Sequence, residues 1–347
     1  VLAAMRGEDL FDYVSVVAGT SATLAGSDHI APPMTMVSGY TTPRARQVKE
    51  VVDVPVMVAG RINQPQDAER FIESGDADAC VMTRALICDP EMPSKAADGA
   101  LDDIRACIGC NQACIGHFHA GYPISCIQFP ETGRELTYGI RIRANRPRHV
   151  VVVGGGPGGM KTAAVAAERG HRVTLLEAAP RLGGQVLLAQ EIPGRGEFGG
   201  AATNLQREVE RAGVEVRLRT RADAESLRAL EPDAVVLATG ARPRRPHLEI
   251  LGDPVVLDAW EVLRGAEVAV GRVVVADWRC DWIGLGVAIS LAERGHPVTL
   301  AVSGYFAGQR VQQYVRDEMM KHALRRGVEV LPLVRPYGAD TDTVYLQ

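Results

Sequence analysis

The sequence lacks the features that mark a secreted, membrane-spanning or nucleic-acid-binding protein. No hydrophobic run approaches the ~18 residues of a membrane span, and the first residues lack the basic segment and apolar core of a secretion signal. With 38 basic and 42 acidic residues the net charge is -4, so there is no excess of positive charge to favour nucleic acid as a partner. We expect a cytoplasmic protein of two or three domains that binds neither membrane nor nucleic acid, and the sequence leaves its oligomeric state open.

A disulfide framework is also missing. Three of the seven cysteines occur singly, and we interpret them as small buried side chains in a reduced compartment: Cys80, Cys88 and Cys280. The other four crowd one short stretch.

That stretch, CIGCNQACIGHFHAGYPISC, contains Cys107, Cys110, Cys114 and Cys126 at a spacing that packing does not require. An iron-sulfur cubane needs four thiolates around one inorganic core; three at i, i+3 and i+7 supply three corners, and a fourth returns from a later loop. Structural zinc usually uses two CxxC or CxxH knuckles some way apart. The spacing therefore favours an iron-sulfur cluster over zinc, a disulfide or chance. Two histidines in the same stretch, His117 and His119, are interpreted as structural or exposed.

Strands and a helix alternate before the cysteines, as in a parallel α/β sheet. The pattern predicts strands over residues 11–17, 54–59 and 79–82, and a helix over residues 65–73. A complete (β/α)8 barrel needs about 250 residues. Since only three strands precede the cysteines, we expect the C-terminal part of a barrel and interpret the chain as a middle section of a longer protein.

Polar and glycine residues follow two of these strands directly. Gly60 and Arg61 occur in VAGRI, and Thr83 and Arg84 occur in VMTRALICDPE. The loops after the seventh and eighth strands of a (β/α)8 barrel commonly bind phosphate, because backbone amides and a guanidinium face the anion together. This placement fits the phosphate of flavin mononucleotide (FMN); the alternative is a pair of solvated surface arginines.

The loop TSATLAGSDHIAPPM follows the first predicted strand, on the barrel face where active sites lie. Asp28 and His29 in this loop are the catalytic candidates, since they could orient a cationic amine or shuttle a proton. The alternative interpretation is a polar loop at a domain edge.

A dinucleotide-binding pattern follows the cysteines in RPRHVVVVGGGPGGMKTAAVAAERGHRVTLLEAAPRLGGQ. An apolar strand leads into Gly154, Gly156 and Gly159, a helix follows, and a second strand leads to Glu177. The first glycine permits the tight turn, the second admits a pyrophosphate, the third packs helix on strand, and the acid binds ribose hydroxyls. The motif does not separate FAD from NAD. The following Gln185 in RLGGQ, and LATG later, are typical of two-dinucleotide flavoproteins and favour FAD or another ADP-containing ligand.

Residues 271–304 repeat this unit at an offset of 125, with AERGH in both copies. In the copy, the positions of the first two glycines carry Arg279 and Asp281, and Val302 replaces the acid. Together with Trp278 and Trp282, Arg279 would block a pyrophosphate. We therefore predict a second Rossmann-like unit whose NAD(P)H site is degraded; the alternative is a rebuilt pocket.

The order of VAGRI, TRALICDPE, CIGCNQAC, VVGGGPGGM, GGQ and LATG resembles the iron-sulfur branch of the old yellow enzyme family, over nearly the whole chain. The resemblance implies the C-terminal part of a (β/α)8 FMN barrel (1–98), a [4Fe-4S] cluster segment (99–147), an FAD- or ADP-binding Rossmann-like domain (148–265) and an incomplete second Rossmann-like unit (266–347). It also implies site roles: the four clustered cysteines bind the cluster; Gly60, Arg61, Thr83 and Arg84 bind the FMN phosphate; Glu177 and Gln185 contact FAD or ADP.

Two branches of this family differ in the second nucleotide unit. The reductase branch, which includes 2,4-dienoyl-CoA reductase, takes electrons from NADPH and needs that site intact, whereas the amine dehydrogenase branch has lost its glycines. The segment ADWRCDWIG is similar to the second pattern. The resemblance thus implies oxidative N-demethylation of a small methylated amine or N-methyl amino acid, with electrons leaving for an electron-transferring flavoprotein. The alternatives are an NADPH-dependent enoate reductase and a non-catalytic electron-transfer protein.

Overall fold

A computed structural model describes residues 2–5, 7 and 10–347 of the chain. The chain divides into two compact units. The first comprises residues 1–183 and 200–238, and the second comprises residues 184–199 and 239–347. The domain boundaries predicted from the sequence at 98, 147 and 265 stay predictions.

The N-terminal segment forms a three-stranded parallel sheet in the order β1-β2-β3. Its strands are shorter than predicted because backbone pairing ends where the strand ends turn into loops. Val56 and Val58 are fully buried, and the helix predicted over residues 65–73 is confirmed at those bounds. After a short 3-10 helix at Leu2–Met5, the elements in chain order are β1 (Val14–Val16), α1 (Leu24–Ser27), α2 (Thr42–Lys49), β2 (Val56–Val58), α3 (Pro65–Glu73), β3 (Ala79–Cys80), α4 (Thr83–Cys88) and α5 (Met92–Ala97).

The cysteine segment is mostly irregular. It contains a 3-10 helix at Leu101–Asp103 and two short helices, α6 (Ile115–His119) and α7 (Glu135–Tyr138). Side chains replace a regular backbone ladder here, because buried backbone groups need partners. For example, Gln128 donates to the Ala106 carbonyl at 2.9 Å, and Thr132 donates to the Ile87 carbonyl at 2.9 Å.

The first nucleotide unit is a four-stranded parallel sheet in the order β6-β5-β4-β7. The central strands are nearly continuous runs of buried Val and Leu, as expected for a parallel sheet covered on both faces. This confirms the predicted strand-helix-strand unit. Over residues 149–237 the elements in chain order are β4 (His149–Val153), α8 (Pro157–Glu168), β5 (Arg172–Leu176), α9 (Val186–Ala189), α10 (Phe198–Arg211), β6 (Glu215–Arg217), α11 (Ala224–Ala229) and β7 (Ala234–Leu237), of which α9 belongs to the second compact unit.

The second nucleotide unit repeats the β-α-β arrangement, as predicted from the internal repeat. Its parallel sheet has the order β11-β10-β9, and a small mixed sheet has the order β13-β12-β8. The mixed sheet was not predicted, since its strands are too short to leave a periodic pattern in the sequence. The elements are β8 (Glu249–Ile250), α12 (Ala259–Leu263), β9 (Val273–Asp277), α13 (Trp282–Glu293), β10 (Val298–Val302), α14 (Gln313–Arg325), β11 (Glu329–Pro332), β12 (Pro336–Ala339) and β13 (Val344–Leu346).

Apolar helical stretches in this protein are short. Within the described ranges, the structure contains no helix that combines the length and apolar character needed to cross a membrane.

Candidate functional site

A cavity opens at the carboxyl ends of β1, β2 and β3. All four residues predicted to bind the flavin phosphate line it: Gly60, Arg61, Thr83 and Arg84. They meet because parallel strands place their carboxyl ends at one edge of the sheet.

The two arginines of this cavity are held by the protein in different ways. Arg61 has a left-handed backbone (φ 58°) and donates through Nη1 to the Met36 carbonyl at 2.5 Å. Arg84 donates through Nη1 to the Pro32 carbonyl at 2.8 Å and to Asn111 Oδ1 at 2.7 Å. Both guanidiniums are therefore fixed by directed hydrogen bonds, which contradicts the alternative of solvated surface arginines.

The two catalytic candidates are placed differently with respect to this cavity. His29 lines it, and its Nδ1 lies 3.1 Å from the Tyr40 hydroxyl. Burial raises the pKa of Tyr40, so this hydroxyl stays protonated at neutral pH. Asp28 is 1% exposed and lies outside the cavity lining. The cavity therefore supports His29 as a candidate for contact with a substrate, and Asp28 stays a prediction.

The four clustered cysteines line a second cavity. Cys107, Cys110, Cys114 and Cys126 all line it, and a fifth thiol, Cys88, joins them from the end of α4. In the part of the chain that the structure describes, no three His, Cys, Asp or Glu side chains converge closely enough to hold a single metal ion. The thiols are thus arranged around a space and do not meet at one point.

Burial raises the pKa of three of these thiols, Cys107, Cys110 and Cys114, with that of Cys110 reaching about 12. A hydrogen bond with Cys88 lowers the pKa of Cys126. Metal ligands are thiolates, so filling this cavity with a metal group would release protons from the buried thiols.

Sequence reasoning missed several polar side chains that connect the cysteine segment to its surroundings in the first compact unit. Asn63 donates to the Cys107 carbonyl, and Gln128 Nε2 lies 3.3 Å from Cys88 Sγ. The Asn204 amide donates to Gln128 Oε1 at 2.7 Å. Arg105 pairs through Nε with Glu208 Oε1 at 2.6 Å. The available signal for these contacts was a polar or charged residue next to one of the clustered cysteines. The partners of these residues are distant in the sequence, so the contacts themselves could not be predicted.

Glu208 on α10 accepts from both Arg105 and Lys161, and all three side chains are mostly buried. The variant E208A would leave two buried cations without their carboxylate. We expect it to lower the free energy of unfolding by on the order of 3 kcal/mol, measured by thermal or urea denaturation. The matched control is E210A on the same helix, because Glu210 is 67% exposed and forms a longer, weaker ion pair with Arg207, at 3.7 Å. Equal destabilisation by the two variants would contradict this role for Glu208.

The predicted dinucleotide motif has the expected geometry in the first compact unit. Gly154 has a φ of 108°, and a Cβ added at Gly159 would lie 1.8 Å from the Gly154 carbonyl oxygen. Glu177 follows β5 and accepts from the Gly155 amide at 2.6 Å and from the Ala179 amide at 2.7 Å. The structure brings the three glycines and Glu177 to the carboxyl ends of β4 and β5.

Gln185 belongs to the second compact unit, where it donates to the Ala241 carbonyl at 3.0 Å. Its predicted contact with a nucleotide stays a prediction.

The corresponding turn of the second nucleotide unit carries carboxylates. Asp277 Oδ1 accepts from the amides of Arg279 and Cys280, at 3.0 and 2.8 Å, and Asp281 Oδ1 accepts from the Ile283 amide at 2.9 Å. Asp281 thereby caps α13. By contrast, no side chain within the described residues caps α8, whose N-cap is Gly156.

A glycine-rich turn that opens onto a helix is a feature of dinucleotide binding. Parallel barrel strands that end in arginines are a feature of phosphate binding. Together the two features define the class as an α/β protein with a dinucleotide-binding type of fold and a separate cavity of the phosphate-binding kind.

Comparison with family models identifies the particular family. Residues 148–345 match the pyridine nucleotide-disulphide oxidoreductase model, and residues 17–103 match the NADH:flavin oxidoreductase / NADH oxidase family. The chain belongs to the flavoprotein oxidoreductases that join these two domains.

Individual relatives agree with this assignment. The chain is 39% identical over 312 residues to N,N-dimethylglycine/sarcosine dehydrogenase from Chromohalobacter salexigens, covering 87% of this chain and 44% of the relative. It is 38% identical over 302 residues to NADH oxidase from Thermoanaerobacter brockii, covering 85% and 46%. The solved complex of 2-naphthoyl-CoA reductase with 2-naphthoyl-CoA matches with a TM-score of 0.87 at 27% identity, covering 97% of this chain and 51% of that one. The chain spans less than half the length of either sequence relative.

Proposed function

We propose that this chain is part of an iron-sulfur flavoprotein that oxidatively demethylates a small methylated amine or N-methyl amino acid. In this proposal FMN occupies the cavity at the strand ends of β1, β2 and β3, and a [4Fe-4S] cluster occupies the cysteine cavity. FAD or ADP occupies the first nucleotide unit, and an electron-transferring flavoprotein accepts the electrons. When bound, the flavin supplies a two-electron acceptor and the cluster a one-electron carrier.

The shape of the cysteine cavity supports a cluster over zinc. A zinc ion needs four ligand atoms about 2.0–2.3 Å from one point, and thiols so placed would converge. Here Cys107, Cys110, Cys114 and Cys126 line one cavity, and among the described residues their side chains do not converge on a single point. Apolar side chains, including Ile108 and Ile127, complete the lining, and such a shell limits solvent access to a bound cluster.

The other cavity supports a phosphorylated flavin. Two arginines fixed by hydrogen bonds provide positive charge. A Cβ added at Gly60 would lie 1.9 Å from Thr41 Oγ1, so a side chain does not fit at this position. Cys107 lines this cavity as well as the cysteine cavity. Arg84 and Gly109 also line both cavities, so the two proposed cofactors would be neighbours.

The cap on the N-terminus of α13 is the observation that favours an amine over NADPH as the electron source. A pyrophosphate binds a helix N-terminus through its unpaired amides and its partial positive charge. At α13, Asp281 already accepts from one of those amides and Asp277 accepts from two amides of the preceding turn, so these donors are not available to a phosphate. At α8, the N-terminus begins with a glycine and carries no such cap.

The dimethylglycine/sarcosine dehydrogenase relative supports the same choice. An NADPH-dependent enoate reductase is the second candidate. It is favoured by the NADH oxidase relative, whose sequence identity to this chain, 38%, is close to that of the dehydrogenase relative. In the demethylase, the described residues would bind and position: the arginines would hold the flavin phosphate, and His29, which lines the cavity with its Nδ1 3.1 Å from the Tyr40 hydroxyl, would contact the substrate.

The test is anaerobic flavin reduction in the native holoenzyme. N-methylated amines, such as sarcosine and dimethylglycine, and NADPH are added separately, and flavin absorbance is followed. We expect bleaching by an amine, with formaldehyde released in proportion, and no rapid bleaching by NADPH. Rapid bleaching by NADPH alone would overturn the proposal in favour of the reductase.

A further inference from the structure

Asn111 lies inside the cysteine motif, between Cys110 and Gln112, yet its side chain serves the neighbouring flavin cavity. It is 1% exposed and has a left-handed backbone with φ 58°. Its Oδ1 accepts from Arg84 Nη1 at 2.7 Å, and its Nδ2 donates to the Ala31 carbonyl at 2.6 Å. A guanidinium only donates and a carbonyl only accepts, so the orientation of this amide is fixed by its partners.

Arg84 is held by neutral oxygens. Besides Asn111, its Nη1 donates to the Pro32 carbonyl at 2.8 Å. A carboxylate in place of the Asn111 amide would compensate the guanidinium charge, whereas an amide and a carbonyl fix its position and leave that charge available to an anion. Asparagine therefore suits this position better than aspartate.

Three segments meet at this amide: the loop after β1 through Ala31, the first turn of α4 through Arg84, and the cysteine segment. The cysteine segment approaches the cavity closely at a second point, since a Cβ added at Gly109 would lie 3.3 Å from Arg61 Nε. Its ordering is thus coupled to both arginines of the cavity.

We infer that Asn111 is a positioning residue for phosphate binding: it holds the Arg84 guanidinium toward the terminal phosphate of the flavin and makes flavin affinity depend on an ordered cysteine segment. The inference rests on the proposed assignment of FMN to this cavity. It predicts that the Asn111 amide matters for a flavin that carries a phosphate and not for one that lacks it.

The test compares the binding of FMN with that of riboflavin, which lacks the phosphate. Each flavin is titrated, with fluorescence as the readout, into the native protein after its exchangeable flavin has been removed. The variant N111G deletes the side chain and keeps the left-handed backbone, which glycine adopts without strain. We expect its Kd for FMN to rise by about tenfold or more, because a charge-assisted hydrogen bond is lost, while its Kd for riboflavin stays within about twofold. Iron content is measured in parallel and should stay at the wild-type value.

Three further variants complete the design. R84M should raise the Kd for FMN strongly, and adding N111G to R84M should then change it by less than about threefold, because Asn111 acts through Arg84. N111D is nearly isosteric and should also weaken FMN, which keeps the test available if N111G does not fold. Q112A, in the same segment, should bind FMN as the wild type does.

Each outcome separates the inference from the proposed function. If R84M weakens FMN binding and neither N111G nor N111D does, the role of Asn111 is overturned and the flavin site stands. If N111G weakens riboflavin as much as FMN and loses iron, Asn111 is a general structural residue and the inference is wrong. If the wild type binds no FMN and R84M changes nothing, the flavin assignment fails and takes the inference with it.

Discussion

The variant C110S is expected to lose its metal group, so that iron falls from about four atoms per chain in the native holoenzyme to less than one. Cys110 is one of the thiols around the cysteine cavity, and a serine hydroxyl does not replace a thiolate ligand at neutral pH. The measurements are iron and sulfide content and the broad visible absorbance of the cluster. We expect the same loss for C107S, C114S and C126S.

Five thiols line this cavity, so the controls decide which four bind. C88S should keep its iron, because Cys88 is assigned as a buried hydrogen-bond partner of Cys126. C80S should also keep it, since the Cys80 thiol lies on β3 outside the cavity lining and donates to the Ala68 carbonyl at 3.8 Å. Loss of iron from C88S together with retention in C126S would make Cys88 the fourth ligand. One zinc per chain in the wild type would contradict the cluster altogether.

Substitution by alanine is expected to affect the free energy of unfolding very differently at two neighbouring glycines of the dinucleotide motif. The variant G159A places a Cβ 1.8 Å from the Gly154 carbonyl oxygen and 3.3 Å from the Ala238 Cβ, where backbone atoms have to shift. We expect the free energy of unfolding to fall by about 3 kcal/mol or more and the bound FAD or ADP to be lost. Thermal denaturation and nucleotide analysis of the released supernatant measure the two effects.

The matched control is G158A, one residue earlier on α8. A Cβ added at Gly158 meets nothing within 4 Å, and the residue is helical. Alanine there should be neutral or stabilising by up to about 1 kcal/mol, because it reduces the entropy of the unfolded chain. If G159A were as stable as G158A, the close approach of helix and turn would not be a feature of the folded protein.

The local elements were largely predictable from the sequence. The helix over residues 65–73 and the strands around 150–153 and 173–176 were found because apolar periodicity, glycine turns and a helix-initiating proline agree there. The barrel strands were predicted too long, since an apolar run continues past the point where the backbone leaves its partner. The small mixed sheet was missed because strands of two to four residues leave no periodic signal.

The candidate sites show the same division. Spacing alone identified the four clustered cysteines and the three glycines of the first nucleotide unit. It did not identify Asn111 or Glu208, whose partners lie 27 residues and about a hundred residues away in the chain. It also treated Cys88 only as a small buried side chain, although the fold places it on the cysteine cavity.

The sequence by itself determined which chemical groups this protein has and in what local order: a thiol-rich stretch, a glycine-rich turn before a helix, and arginines after strands. These are short-range patterns, because a turn, a helix start or a ligand spacing is set by residues within a few positions of one another. Only the tertiary structure decided that Arg84 and Arg61 enclose one cavity, that Cys107 borders two, and that the Asn111 amide fixes Arg84. Those contacts join segments that are distant along the chain, and they exist because parallel strand ends and the irregular cysteine segment pack against each other in the folded protein.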